Sequence, residues 1–144
     1  MSKPNVIFLC TGNSSRSQIA EAILRKYAGD RFNVYSAGFD AQPINKYAIK
    51  VLTEQGYDLS THFSKNLSHY LGKKHFDIVI TVCAHAEKVC PTIPGVETHL
   101  HWPIEDPIHF HGKDEEIMAK FRKLRDQIEL KIKNWLIEKE TLNS

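Results

Sequence analysis

The chain is short of the features that would make it a disulfide scaffold, a membrane protein or a nucleic-acid binder. It has three cysteines in 144 residues, an odd number that argues against a framework of structural disulfides. Its formal net charge is +2, too small to argue for nucleic acid or an anionic membrane surface as a partner. No apolar run approaches the roughly 20 residues of a membrane span, and no signal-peptide apolar region opens the chain. The expectation is a cytoplasmic protein whose thiols are kept reduced, so that any disulfide is transient and catalytic. Repeats, low-complexity tracts and linker-like stretches are also missing, which leaves residues 1–144 as a single domain of ordinary globular composition.

What is present alternates between strand and helix. Val6 to Leu9 reads as a buried strand, and Ser17 to Tyr27 as a helix with Ile19, Ala20, Ile23 and Leu24 on one face, ending near Gly29. Phe32 to Tyr35 is a second strand. Asn45 to Gln55 is a helix with Asn45 as N-cap and Gly56 just past its end. Ser60 to Lys74 looks irregular or weakly helical. Phe76 to Val82 and Val96 to Trp102 are two further strands. The last helix opens on Asp114 as cap and repeats Ile117, Phe121, Leu124, Ile128, Ile132 and Trp135 at spacings of three and four. Strands alternating with helices imply an α/β fold with a parallel sheet covered on both faces, and a ligand crevice at the carboxyl ends of the strands.

Chemistry concentrates in Cys10-Thr11-Gly12-Asn13-Ser14-Ser15-Arg16-Ser17, between the first strand and the first helix. A lone cysteine ending an apolar strand is ordinarily a small core residue. Here, however, small and polar residues follow it and an arginine opens a helix. Backbone N–H groups of such a loop can surround a tetrahedral oxyanion. Arg16 adds a planar fork of donors, and the positive potential favours a Cys10 thiolate under the anion. Gly12 and Asn13 tolerate the positive φ that an inward-turning loop needs. Ser17 is either a donor to the Cys10 sulfur or a plain first-turn residue.

A second constellation, Cys83 to Cys90, follows the third strand. Were the segment wholly helical, its two Cα atoms would stand ~10 Å apart along the axis, beyond the ~7 Å reach of a disulfide. The two cysteines can pair only if that turn unwinds. A nucleophilic cysteine plus such a dithiol points to sequential thiol–disulfide exchange. A third piece, Glu105-Asp106-Pro107, falls in a loop after the fourth strand, where a carboxyl group could protonate a leaving oxygen. Asp106 and Glu105 both qualify by spacing. The His99-x-His101 and His109-x-His111 pairs lack companions that would complete a metal ligand set, so no metal is expected and most of the eight histidines are read as solvated.

Together the Cys10–Ser17 loop, the Cys83/Cys90 pair and the Asp106-Pro107 loop resemble the thioredoxin-coupled arsenate reductases built on the low-molecular-weight tyrosine phosphatase fold. The likeness runs through Ser36-Ala37-Gly38 to the final helix. It implies a three-layer α/β/α, flavodoxin-like architecture with a four-stranded parallel sheet. It also implies arsenate reduction in arsenic detoxification, by a monomer that holds no cofactor and takes its electrons from thioredoxin or a similar thiol reductant such as glutaredoxin or mycothiol. Cys10, Cys83, Cys90, Arg16 and Asp106 would be catalytic, and residues Thr11, Gly12, Asn13, Ser14, Ser15, Arg16 and Ser17 would bind the oxyanion. In the implied relay a Cys10–Cys83 disulfide forms first and is exchanged for Cys83–Cys90. The phosphatase branch shares the loop, so hydrolysis of aryl phosphates through a Cys10 phosphocysteine is the alternative function. A third reading is a non-enzymatic redox-responsive protein. Against the phosphatase branch, Ile108 stands where a tyrosine is usual. Many of the reductases carry a further cysteine where this chain has Ser15. Some members bind potassium through an asparagine, a serine and a Thr-x-Asp stretch. Asn13 and Ser36 match, but Phe63-Ser64-Lys65 stands at the third place, which implies potassium-independent activity with the Lys65 ammonium in the ion's position.

Overall fold

The computed structural model of the chain describes residues 3–143. Its elements run β1 (Asn5–Leu9), α1 (Arg16–Ala28), β2 (Asn33–Ala37), α2 (Lys46–Thr53), β3 (Ile78–Thr81), α3 (Ala84–Val89), β4 (Thr98–His101) and α4 (Asp114–Asn143), with 3₁₀ turns at Leu67–His69 and Pro107–His109. The strands form one sheet in the order β2-β1-β3-β4, every neighbouring pair parallel. β1 is the central apolar strand, with Val6, Ile7, Phe8 and Leu9 fully buried, as a strand covered on both faces must be.

The chain leaves β1 toward β2 and later leaves β3 toward β4, so these two crossovers travel in opposite directions along the sheet. Right-handed connections therefore place α1 and α3 on opposite faces. Side-chain alternation agrees. Phe8 meets Trp102, which in turn meets Trp135 of α4, the helix packed against α1. Tyr35 points the other way, onto Tyr70 and Phe76. The result is the expected three-layer α/β/α arrangement. Because connections reverse between β1 and β3, the switch point lies between their carboxyl ends, where an α/β sheet opens its crevice. Leu9 pairs with Thr81 in the register, so Cys10 and Cys83 begin from adjacent strand ends.

The expected elements are all present, with shifted ends. β2 starts one residue late and runs on to Ala37, and β3 and β4 are shorter than their apolar runs. Asn45 caps α2 as expected, accepting from the Tyr47 and Ala48 amides, and Gly56 takes a positive φ of 86° beyond the C-cap at Glu54. Asp114 is the first residue of α4 rather than its cap, and its carboxylate accepts from the Tyr47 hydroxyl at 2.6 Å. Phe121, Leu124, Ile128, Ile132 and Trp135 form the buried stripe of α4, while Ile117 is half-buried.

Candidate functional site

The loop from Cys10 to Ser15 is fixed through its carbonyls. Thr11 O accepts from the amides of Phe39 and Asp40, Gly12 O from Gln42 N, and Ser14 O from Asn45 N, each at 2.9 Å. Asn13 O accepts from Gln18 Nε2 at 3.1 Å. In a trans peptide the N–H points away from the C=O. Four consecutive carbonyls turned onto the protein therefore turn the amides of residues 12–15 toward the concave side, the arrangement an oxyanion cradle needs. Asn13 adopts the left-handed conformation, φ 48°. Gly12 does not, so the positive φ expected there falls on Asn13 alone. The glycine that the loop cannot replace is Gly38: a Cβ there would lie 2.5 Å from Thr11 O and 2.9 Å from Asn13 N. Sequence reading gave Gly38 no role, because its constraint is a contact with a distant loop.

Cys10 is buried at the end of β1, its Sγ 2.8 Å from Ser17 Oγ. The direction of that bond depends on the state of the sulfur, since a thiolate can only accept. Asn13 Nδ2 donates to Ser17 Oγ at 2.8 Å and to Ser36 Oγ at 2.9 Å, so the hydrogen of Ser17 is free to go to the sulfur. Ser36 in turn donates to Glu21 Oε1 at 2.6 Å. Toward a Cys10 thiolate Ser17 is thus the donor, the chemically active one of its two readings.

Behind this chain sits a buried polar layer that the apolar pattern of α1 did not announce. Glu21, Gln18 and Lys65 are all buried. Glu21 pairs with Arg25 at 3.0 Å and stands 3.9 Å from Lys65 Nζ. Lys65 Nζ also donates to Phe63 O at 2.8 Å and to Asn13 Oδ1 at 3.3 Å. Burial, working against the Glu21 charge, lowers the lysine's pKa from its ordinary value. His62, which the sequence did not single out among the histidines, has a covered side chain: its Nδ1 lies 3.0 Å from Gln18 Oε1 and 3.4 Å from Glu21 Oε2. Burial holds its pKa down, outweighing the Glu21 carboxylate. The only sequence signal for this layer is two polar residues, Gln18 and Glu21, flanking the apolar face of α1.

Arg16 opens α1 with its guanidinium mostly covered. It donates to Ile104 O at 3.1 Å and its Nη2 lies 3.5 Å from Asp106 Oδ2, so the loop after β4 holds the fork in place. Asp106 caps the turn at Pro107–His109 by accepting from Ile108 N at 3.0 Å, and its side chain is 43% exposed. Glu105 faces a different cleft, with His109, Phe110, Lys120 and Lys123.

Cys83 caps the N-terminus of α3, its Sγ accepting from Ala86 N at 3.3 Å, and lies 3.4 Å from Thr11 Oγ1. It is buried, against the residue that follows Cys10 in the chain. Cys90 ends the same helix, half-buried. Burial first and the Glu87 charge second push its thiol pKa up. All three cysteines are free thiols. The site thus gathers a thiol, a hydroxyl donor to it, a tethered guanidinium and a second thiol at adjacent strand ends, with a third thiol across one short helix.

Residues 5–144 match the family described as low molecular weight phosphotyrosine protein phosphatase. An arsenate reductase of Halalkalibacterium halodurans is 44% identical over 135 residues, which cover 94% of this chain and 96% of that protein. The solved structure of an arsenate reductase in the phosphate binding state superposes with a TM-score of 0.74 at 26% identity, covering 94% of this chain and 98% of the other. The Corynebacterium glutamicum thioredoxin-dependent arsenate reductase gives a TM-score of 0.60 at 33% identity, across 91% of this chain and 62% of that one. The chain therefore belongs to the low molecular weight phosphotyrosine protein phosphatase family, and its relatives there include arsenate reductases.

Proposed function

We propose that the protein reduces arsenate to arsenite by a three-cysteine relay, Cys10 to Cys83 to Cys90, re-reduced by thioredoxin. The observation that carries the reading is the placement of Cys83 against Thr11, beside the nucleophile, with Cys90 at the far end of the six-residue helix that Cys83 caps. A phosphatase requires only the first of these thiols.

Arsenate is held by the amides of residues 12–15 and the Arg16 fork. The Cys10 thiolate, steadied by the Ser17 hydroxyl, attacks arsenic while Asp106 protonates a departing oxygen, which leaves as water. Cys83 then attacks Cys10 Sγ. The sulfur–arsenic bond breaks, its electron pair stays on arsenic, and arsenite leaves a Cys10–Cys83 disulfide. Cys90 attacks Cys83, frees the Cys10 thiolate and forms Cys83–Cys90, which a thioredoxin dithiol reduces with two electrons. The Arg16–Asp106 pair supports Asp106 over Glu105 as the acid. No cofactor enters this scheme. A monomer working in the cytoplasm, with residual hydrolysis of aryl phosphates, belongs to the same proposal.

The test supplies arsenate with thioredoxin, thioredoxin reductase and NADPH. The wild type should turn over repeatedly. Cys90→Ser should stop after at most one arsenite per chain while still hydrolysing an aryl phosphate. Undiminished repeated turnover by Cys90→Ser would sink the relay.

A further inference from the structure

The proposed relay turns on a helix that must come undone, so whatever holds α3 wound takes part in its chemistry. Six residues are too few to persist as a helix unaided, and α3 (Ala84–Val89) depends on tertiary anchors. Ala86 is one, fully buried. Glu87 is the other. Its Oε2 accepts from the hydroxyl of Thr81, the last residue of β3, and from His99 Nε2 of β4 at 2.9 Å. His101 Nδ1 stands 3.9 Å from the same oxygen and 2.9 Å from Thr81 Oγ1.

Proton counting makes this a closed network. Thr81 gives its one hydrogen to the carboxylate, the much nearer acceptor than Leu100 O at 3.4 Å, so His101 Nδ1–H donates to Thr81 Oγ1 and His99 Nε2 carries the hydrogen that reaches Glu87. The middle of α3 is thereby bonded to both strands beside it. Glu87 is 39% exposed at its side chain, while Thr81 is fully buried. The Thr81 and His99 bonds lower the Glu87 pKa from its ordinary value. The remaining titratable groups lining the two clefts beside Glu87 are His85, Lys88, Cys90 and Glu97. Neither the relay nor oxyanion binding uses this cluster.

We propose that Glu87 is a positioning residue, latched by Thr81, His99 and His101, that holds α3 wound and so sets the redox equilibrium of the Cys83–Cys90 pair. The inference rests on the relay reading. A Cys83–Cys90 disulfide needs Cα atoms within ~7 Å, against ~10 Å in the wound helix, so forming it must break the latch. Favouring the wound form favours the dithiol. The latch therefore makes the disulfide easier for a reductant to open.

The experiment uses the full chain carrying Cys10→Ser, which leaves Cys83 and Cys90 as its only thiols, equilibrated with reduced and oxidised dithiothreitol. Two protein thiols pass two electrons and two protons to oxidised dithiothreitol and form one S–S bond. Adding Glu87→Ala should move the equilibrium constant toward the protein disulfide by about tenfold. Thr81→Val should move it the same way, and Thr81→Ser, which keeps the hydroxyl, should stay within about twofold of the parent. Thr81→Val keeps the side-chain shape and Thr81→Ser keeps the hydroxyl, so the two carry the comparison even where Glu87→Ala does not fold. Equal or reversed constants across these chains overturn the latch and leave the relay standing. Failure of the parent itself to form Cys83–Cys90 overturns the relay, and the latch with it.

Discussion

Two choices at the scale of single residues decide how the site works. The first is the acid. Asp106 reaches toward Arg16 and Glu105 faces another cleft, so Asp106→Asn should slow single-turnover arsenite formation by about 10²-fold or more, whereas Glu105→Gln should leave it near the wild-type rate. A larger effect from Glu105→Gln reverses the assignment. The second is Lys65. Its ammonium touches Asn13 and approaches Glu21, the buried groups that position Ser17 and Ser36, so a cation is already supplied there. Wild-type turnover should be the same in potassium as in sodium. Lys65→Ala should be slower by about tenfold and recover in potassium. Equal stimulation of both proteins by potassium counts against the assignment. The residues proposed to carry the chemistry, Cys10, Arg16 and Asp106, stand out in the sequence because their types are unusual in their places. Glu21, Gln18 and His62 do not. Each is common on a helix or in a loop, and only burial beside the active loop gives it a task.

At the scale of elements, the joint between α2 and α4 is ionic. Glu54, the C-cap of α2, receives Arg122 and Arg125 from α4 at 2.8 Å each, and these two partners lower its pKa to about 2. A carboxylate whose folded pKa lies below its unfolded one adds stability that is fully present above the unfolded value and is lost as pH falls through the folded one. The carboxylate is 34% exposed, so screening keeps its contribution to about 1 kcal/mol. Glu54→Gln should therefore lower Tm by a few degrees at pH 7. That gap should close as pH falls from 4.5 toward 2, which paired thermal melts would follow. A gap unchanged by pH would locate the effect in packing instead. The start of α2 was legible from Asn45 and the buried face of the final helix from its apolar stripe. The strands were less so, because an apolar run continues past the last residue whose backbone pairs with a neighbour. α3 was legible only as the stretch between two cysteines, since six residues show too little periodicity to read.

At the scale of the whole molecule, one long helix closes the core. Ile128 of α4 is fully buried and Leu130, two residues on, is 60% exposed. Ile128→Ala should cost about 2–5 kcal/mol and Leu130→Ala less than about 0.5 kcal/mol, measured by urea unfolding. Similar losses at both would mean that α4 presents a second apolar face to a partner. The same sheet that forms the core also sets the site, because connections reverse between β1 and β3 and bring two loops some seventy residues apart to one edge.

The sequence by itself determined the class of fold and marked the candidate nucleophile, the guanidinium and the three thiols, since apolar periodicity and rare residue types are local properties of a chain. It left open which carboxylate faces Arg16, whether Ser17 serves Cys10, and what holds the Cys83–Cys90 turn. Those questions turn on which side of a strand or helix meets which distant neighbour, and the register of β1 against β3, with the layers packed on it, decides them. Cys10 is recognisable in the string of residues. That Cys83 lies against Thr11, the next residue, and that Glu87 is bonded to Thr81 and His99, are facts of tertiary structure alone.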